Sequence, residues 1–169
     1  LALAVLLLLQ ACTPALNWRV VPNSDLGYAA TYPDKPVQVT RTLNLAGYSV
    51  PLTLQAAVAK DTYFAVGVVE LTGSLDGKGV ELKDALVKAL ANNIKLDELK
   101  PEQKEWAGLT AVDWAQGEGK LPDGRTAKAM GRFFVHHNKL YEVLAVGPVD
   151  QLDKLVETQW FSGFKLLGL

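Results

Sequence analysis

The alternation of apolar and polar residues along the first half of the chain predicts a series of β-strands. In the segment Val37–Leu45, most alternate residues are apolar, which is typical of a strand with one exposed face. Ala46-Gly47 predicts a turn into a return strand. That strand contains Pro51, which has no N–H for a sheet ladder, so we place the hairpin toward a sheet edge. Residues 63–71 are apolar on nearly every position, which predicts a central strand covered on both faces.

A change of period near residue 80 predicts a helix. Apolar residues recur at steps of three and one over residues 80–94, and Glu81 and Asp84 suit the positive end of a helix dipole. The second half then repeats the order of three strands and one helix, and Gly147-Pro148 is expected to end its sheet. Its predicted elements are strands at 106–117, 125–136 and 140–146, and a closing helix with Leu152, Leu155, Val156 and Trp160 on its apolar face.

These patterns predict an α+β fold. We expect an antiparallel sheet of about six to seven strands with two main helices packed on it, in the order βββα-βββα. The chain has 169 residues, of which 49% are hydrophobic, and this is enough for one core. With 17 basic and 18 acidic residues its net charge is -1, so it lacks the basic stripe that a nucleic-acid partner requires.

The chain opens with an uncharged apolar run, residues 1–9, followed by Gln10, Ala11 and Cys12. A helix needs about 20 apolar residues to cross a bilayer, so this shorter run is typical of a signal peptide. Leu9-Gln10-Ala11-Cys12 resembles the lipobox of bacterial lipoproteins, which have an aliphatic residue three positions before the cysteine and a small residue next to it. The resemblance implies a diacylglyceryl thioether on Cys12. The alternatives are an ordinary cleaved signal or a buried helix with an incidental cysteine.

We therefore expect a lipoprotein-type signal peptide at residues 1–11, an acylated Cys12 with a tether at 12–26, and a single α+β domain at 27–169. Two or three acyl chains hold a protein to a bilayer essentially permanently. The expected location is the bacterial cell envelope, facing the periplasm. By analogy with sorted lipoproteins, Thr13 in place of an acidic residue favours the outer membrane.

Several aromatic and turn residues suggest a known fold. They are Tyr32, Pro33 and Pro36 after the first strand, Leu140-Tyr141 before Gly147-Pro148, and the closing Phe161-Ser162-Gly163-Phe164-Lys165. These features look like the PsbP-like fold, an antiparallel sheet sandwiched by helices that the photosystem II extrinsic protein shares with a Ran-binding nuclear-import factor. With Leu16-Asn17-Trp18-Arg19, the layout is also similar to small proteobacterial lipoproteins of unknown function. No binding residue of the photosynthetic or nuclear proteins matches a position here, so the resemblance implies a fold and no activity.

Two short motifs resemble functional sites and fit them poorly. The loop from Gly73 to Gly79 has three residues between its first two glycines and a glycine after Lys78, whereas a phosphate-binding loop needs four residues and a Ser or Thr. We predict a connector, with an anion site at the helix N-terminus as the alternative. His136 and His137 are expected to point to opposite faces of a strand, which predicts a solvated hairpin end; a metal or acid-base role is the alternative.

Asp113, Glu118 and Glu142 lie on or beside the strands of the second half, with Lys128 and Arg132 on a neighbouring strand. Catalytic carboxylates held between cations are one interpretation. Cross-strand ion pairs, which are common in antiparallel sheets, are the favoured one. The sequence has no G-x-S-x-G, H-E-x-x-H or Cys–His couple. We therefore expect no enzymatic activity, no cofactor and no metal.

Trp106 and Trp114 are eight residues apart and face the same way if their strand is regular. The favoured interpretation is that they fill the core, and the alternative is that they line an apolar ligand pocket between helix and sheet. We expect a non-enzymatic binding or assembly module with an envelope protein or cell-wall component as its partner. The alternative function is a small-ligand carrier or sensor that uses this pocket.

Overall fold

The computed structural model describes residues 16–152 and 157–169. Within them, one α-helix, α1 (Gly79–Asn93), accompanies ten β-strands. Short 3₁₀ turns lie at Gly73–Leu75 and Val149–Gln151, and a π-helical turn lies at Glu157–Phe161. The strands are β1 (Arg19–Asn23), β2 (Tyr28–Tyr32), β3 (Val37–Leu45), β4 (Tyr48–Ala59), β5 (Thr62–Glu70), β6 (Glu102–Trp106), β7 (Leu109–Lys120), β8 (Thr126–His136), β9 (Lys139–Pro148) and β10 (Lys165–Leu166).

Seven of the strands form one antiparallel sheet in the order β3-β4-β5-β9-β8-β7-β6. The turn predicted at Ala46-Gly47 is confirmed, with φ of 51° and 83° at its two residues. Positive φ at both residues is the geometry of a type I′ turn, which matches the twist of a hairpin. The edge position of β3 and the central position of β5 are also confirmed.

α1 covers one face of this sheet. Leu82, Leu86 and Leu90 recur every four residues and are buried against leucines, valines and alanines of the strands. This spacing places them on one stripe of the helix, and their burial supplies most of its stability. The helix predicted over residues 80–94 is confirmed to within one residue.

A small sheet of three strands, in the order β1-β2-β10, covers the opposite face. The hydroxyls of Tyr28 and Tyr32 donate hydrogen bonds to the side-chain and main-chain oxygens of Gln55 in β4, at 2.8 and 3.0 Å. These bonds satisfy buried polar groups where the two sheets meet. The small sheet includes residues 19–23, which fall within the segment expected to be a tether.

Two predicted strand boundaries are wrong. Residues 106–117 do not form one strand, because Ala107 and Gly108 adopt φ of 54° and 80° and turn the chain from β6 into β7. The strand predicted at 140–146 continues through Gly147 and Pro148, which pair with β8 as the last two residues of β9. Proline is tolerated there because a strand end needs no further ladder donor.

The predicted pair of main helices is also wrong for the part of the chain that the structure describes. α1 is its one main helix, so the predicted order βββα-βββα does not hold. The face of the large sheet opposite α1 is covered by the small sheet where a second helix was expected. The closing helix was expected to include Leu155 and Val156, which lie outside the described residues. The neighbouring Trp160 and Phe161 are both buried in the aromatic core instead of forming one side of an α-helix. None of the described helices has the length and apolarity needed to span a bilayer.

Candidate functional site

A cavity of about 320 Å³ lies between α1 and the half of the sheet formed by β3, β4, β5 and β9. This volume is at the lower end of the range for small-molecule sites, which starts at about 300 Å³. Most of the wall is apolar, and four polar side chains interrupt it. The apolar residues include Leu43, Leu52, Leu54, Leu86, Leu90 and Leu144, and the polar ones are Arg41, Tyr63, Asn93 and Glu142.

Glu142 is the carboxylate of this cavity, and only 6% of the residue is exposed. It lies in β9 directly between Gly67 of β5 and Phe133 of β8. A Cβ at position 67 would lie 2.7 Å from Glu142 Oε1, so the glycine leaves the space that the carboxylate fills. Within residues 16–152 and 157–169, no group forms a hydrogen bond or ion pair with this carboxylate.

Burial raises the pKa of Glu142 to about 7, because the ionised form loses its water. The pKa of Tyr63 is also raised, first by burial and then by the charge of Glu142, while Arg41 lowers it. The electrostatic effect of Glu142 therefore reaches Tyr63 on the cavity wall. As a result, this carboxylate changes its charge near neutral pH within largely apolar surroundings.

Exposed valines extend the apolar wall to the edge of the sheet. Val39 lies opposite Leu54, and Val58 lies opposite Tyr63, so both are on the face that α1 covers. They are 40% and 62% exposed. Val37, on the same face of the edge strand, is 67% exposed. Clustered exposed apolar residues of this kind are typical of ligand-binding grooves and interaction sites.

Asp113, the second buried carboxylate on the face that α1 covers, forms an ion pair within the chain. Lys83 of α1 places its Nζ 2.9 Å from Asp113 Oδ2, and both side chains are largely buried. Phe133 lies between Asp113 and Glu142 in the strand register, and two strand spacings separate them by about 10 Å. The structure thus brings these two carboxylates to one face but not to one site.

The other charged residues singled out from the sequence lie on the opposite face. Glu118 is directly across from Lys128 in the β7–β8 pair. The guanidinium carbon of Arg132 is 3.5 Å from the ring centroid of Trp114 and 4.3 Å from that of Phe161. These cations therefore do not face Asp113 or Glu142.

Trp106 and Trp114 also lie on the face opposite α1, on the neighbouring strands β6 and β7, and both are half-buried. Trp106 stacks on Phe164 with ring centroids 5.0 Å apart. Trp114 lines a depression of about 250 Å³ whose other walls are polar side chains. Neither indole lines the cavity between α1 and the sheet.

The two histidines do not point to opposite faces. Their rings stack with centroids 3.8 Å apart, because His137 belongs to a turn and has φ of 45°. The alternation of side chains holds only for residues within a strand. Among the described residues, no three His, Cys, Asp or Glu side chains form a group that could hold a metal ion.

Two features predicted from the sequence remain, the loop before α1 and the segment around Cys12. The loop from Gly73 to Gly79 forms a 3₁₀ turn and leads into α1, whose N-cap Lys78 makes no side-chain capping bond. Cys12 and the apolar run before it lie outside the described residues.

Sequence reasoning includes Glu142 among three acidic residues but does not place it on the wall of the pocket between helix and sheet. The signal available in the sequence is one glutamate inside the otherwise apolar strand LYEVLAV. An acidic residue in a strand buried on both faces needs a partner or a special environment. The second signal, the space at Gly67, requires the strand register and emerges only from the fold.

The chain is similar in structure to a cyanobacterial PsbP, CyanoP from Synechocystis sp. PCC 6803, whose solution structure has been determined. The TM-score is 0.51 at 16% sequence identity, and the match covers 92% of this chain and 95% of that chain. No protein-family model matches the chain, and no curated protein matches it at a significant level. A likeness at this identity concerns the fold alone. The chain therefore has a PsbP-like α+β fold with a seven-stranded antiparallel sheet, a small three-stranded sheet and one main helix in its described part.

Proposed function

We propose that the chain is a lipid-anchored protein of the bacterial cell envelope whose domain binds an envelope protein or a cell-wall component and catalyses no reaction. The observation that carries the proposal is the sequence Leu9-Gln10-Ala11-Cys12 at the end of an apolar run, with Cys12 as the single cysteine of the chain. The lipid on Cys12 holds the domain to the membrane, facing the periplasm, and Thr13 favours the outer membrane.

The positions of the charged residues support a binding role. Lys83 forms an ion pair with Asp113, and Phe133 lies between that pair and Glu142 in the strand register. Arg132 is on the other face of the sheet, against aromatic rings. A general acid and a general base must both reach one substrate, and the carboxylates predicted from the sequence do not share such a site.

Fractionation of cells that produce the full chain or its Cys12→Ser variant tests the anchor. The unaltered chain is expected in the membrane fraction with acyl mass on the peptide that begins at Cys12, and the variant is expected to carry no acyl mass. Cross-linking in the same cells is expected to capture one envelope protein or cell-wall fragment. An unmodified, soluble Cys12 form contradicts the anchor, and repeated failure to capture any envelope component contradicts the partner class.

A small-ligand carrier or sensor is the second candidate, and the cavity between α1 and the sheet favours it. Its apolar wall, its volume of about 320 Å³ and a few convergent polar groups are the features of small-molecule sites. The residues that would bind the ligand are those of this cavity, in place of Trp106 and Trp114.

Binding of an apolar fluorescent dye to the full chain tests the carrier function. Ala89 lines the cavity on α1 and is only half-buried, so Ala89→Phe is expected to fill the entrance and weaken dye binding. Glu81→Phe, at an exposed position of the same helix, is the matched control and should leave dye binding unchanged. Equal loss in both variants, or none in either, would contradict binding at this cavity.

A further inference from the structure

Glu142 is in a position where a charge is costly. Its carboxylate faces a largely apolar cavity, and its exposed fraction is 6%. An ionised carboxylate that loses its water needs a cation or several hydrogen bonds to offset the loss. The described part of the chain provides neither, yet Gly67 leaves a space that fits this side chain.

The charged groups of the surrounding elements do not supply the missing partner. Arg41, on the edge strand β3, lines the cavity from an exposed position and forms no ion pair with Glu142. Lys83 of α1 is engaged by Asp113 on the far side of Phe133. Tyr63 and Asn93 are the other polar groups on the wall, and both are uncharged at neutral pH. In this arrangement no cation of the described residues pairs with the carboxylate, which leaves it open to a cation from outside the fold.

An apolar path leads from Glu142 to the edge of the sheet. In the strand register, Gly67, Leu54 and Val39 follow Glu142 in one row. Three strand spacings give this row a length of about 14 Å. Leu86 and Leu90 of α1 face the same cavity, and Val39 is exposed at the far end. The site thus offers an anion at one end and an aliphatic surface along this row, with Arg41, Tyr63 and Asn93 elsewhere on the wall.

We propose that this cavity binds a small aliphatic primary amine, with the ammonium group on the Glu142 carboxylate and the apolar body along the leucines toward Val39. The inference rests on the carrier function proposed above and names its ligand class. An ammonium group suits the site because it supplies the missing charge and hydrogen-bond donors at once. A carboxylate ligand would meet a like charge, and an alcohol would leave the charge unpaired.

Isothermal titration of three amphiphiles of equal length tests this class of ligand: hexylammonium, hexanol and hexanoate. The protein is the full chain with Cys12→Ser, so that no lipid competes for the amphiphiles. At about pH 8 we expect hexylammonium to bind at least about tenfold more tightly than the other two. Affinity for hexylammonium should be about tenfold weaker at pH 6, because burial raises the pKa of Glu142 to about 7 and only a small fraction stays ionised there.

Glu142→Gln keeps the shape of the side chain and should weaken hexylammonium binding about tenfold or more. The matched control Glu118→Gln makes the same change at an exposed position of β7 and should leave the affinity for hexylammonium unchanged. Thermal unfolding verifies that both variants fold. Equal binding of hexanol or hexanoate, or undiminished binding by Glu142→Gln, overturns the amine class while the carrier function stands. If none of the three amphiphiles binds, both the amine class and the carrier function at this cavity are overturned.

Discussion

Glu142 and Gly67 lie opposite each other on neighbouring strands although they are distant in sequence. The glycine has no Cβ, and the carboxylate of the neighbouring strand fills the space over it. A larger residue at position 67 would meet Glu142 and Leu52. The arrangement keeps an ionisable group in a place that a close-packed core would give to an apolar side chain.

The stability of the fold should depend on pH through the carboxyl group of Glu142. The pKa of Glu142 is about 7 in the folded chain and 4.5 as its ordinary value, so the folded state holds the proton more tightly. The free energy of unfolding should therefore be greatest below the ordinary pKa and fall as pH rises toward the folded pKa. Linkage gives a fall of about 2 kcal/mol between about pH 5.5 and 8. Glu142→Gln should remove this fall, as measured by denaturant unfolding at several pH values.

Glu118→Gln is the control for that series, because its side chain is exposed in β7. It should keep the pH dependence of the unaltered chain. A Glu142→Gln variant whose stability still falls by the same amount would show that another group is responsible.

At the scale of elements, one ion pair joins α1 to the sheet. Lys83 lies on the helix and Asp113 on β7, and Gln103 of β6 donates a further hydrogen bond of 3.4 Å to the aspartate. The main-chain N–H of Lys120 also bonds to the carbonyl of Ile94 just after the helix, at 2.8 Å. These contacts fix the helix over the β7 side, while the cavity remains on the β3 side.

Removing one partner of the Lys83–Asp113 pair should leave a buried charge uncompensated. We expect Lys83→Met or Asp113→Leu alone to lower the free energy of unfolding by about 3 kcal/mol. The double variant should lose far less than the sum, since two apolar residues can pack in place of the pair. A double-mutant cycle by denaturant unfolding measures this coupling. Simple addition of the two losses would contradict the pairing.

Two identical dipeptides show how far turns can be predicted from sequence. Ala46-Gly47 is recognisable because alternating strands flank it on both sides, whereas Ala107-Gly108 is not. The strand before the second turn, Glu102–Trp106, reads EQKEW and has four exposed polar residues, so no apolar alternation announces it. Local pattern identifies half-buried strands, and an edge strand with little burial gives almost no signal.

Gly47 provides a test of the turn geometry, because its φ is 83° and no atom lies within 4 Å of the position that an added Cβ would take. Gly47→Ala should therefore cost only backbone strain, about 1 kcal/mol. Gly47→Asn should cost less, since asparagine tolerates this conformation better. Thermal or denaturant unfolding of both variants measures the difference. Equal losses would contradict the assigned turn.

At the scale of the whole molecule, the large sheet is covered differently on its two faces. Aromatic residues and the small sheet fill one face, and α1 covers part of the other. Local periodicity in the sequence predicts the α+β class and most strands of the large sheet. It does not predict the small sheet, because β10 has only two residues and its pairing with β2 depends on contacts that span most of the chain. A pocket between helix and sheet is the alternative that the sequence offers, but the residues that line it are unpredictable for the same reason, since they come from four strands and a helix.

The carrier function requires that this domain bind ligands in the cavity between α1 and the sheet. Methyl chemical-shift mapping of the full chain during titration with hexylammonium tests it most directly. We expect shifts confined to the methyl groups of the cavity and of the path toward Val39, among them those of Leu54, Leu86, Leu90 and Leu144, with none at Leu152 and Leu166 on the opposite face. Shifts centred on the opposite face, around Trp106 and Trp114, would contradict it, and so would the absence of shifts with hexylammonium, hexanol and hexanoate alike.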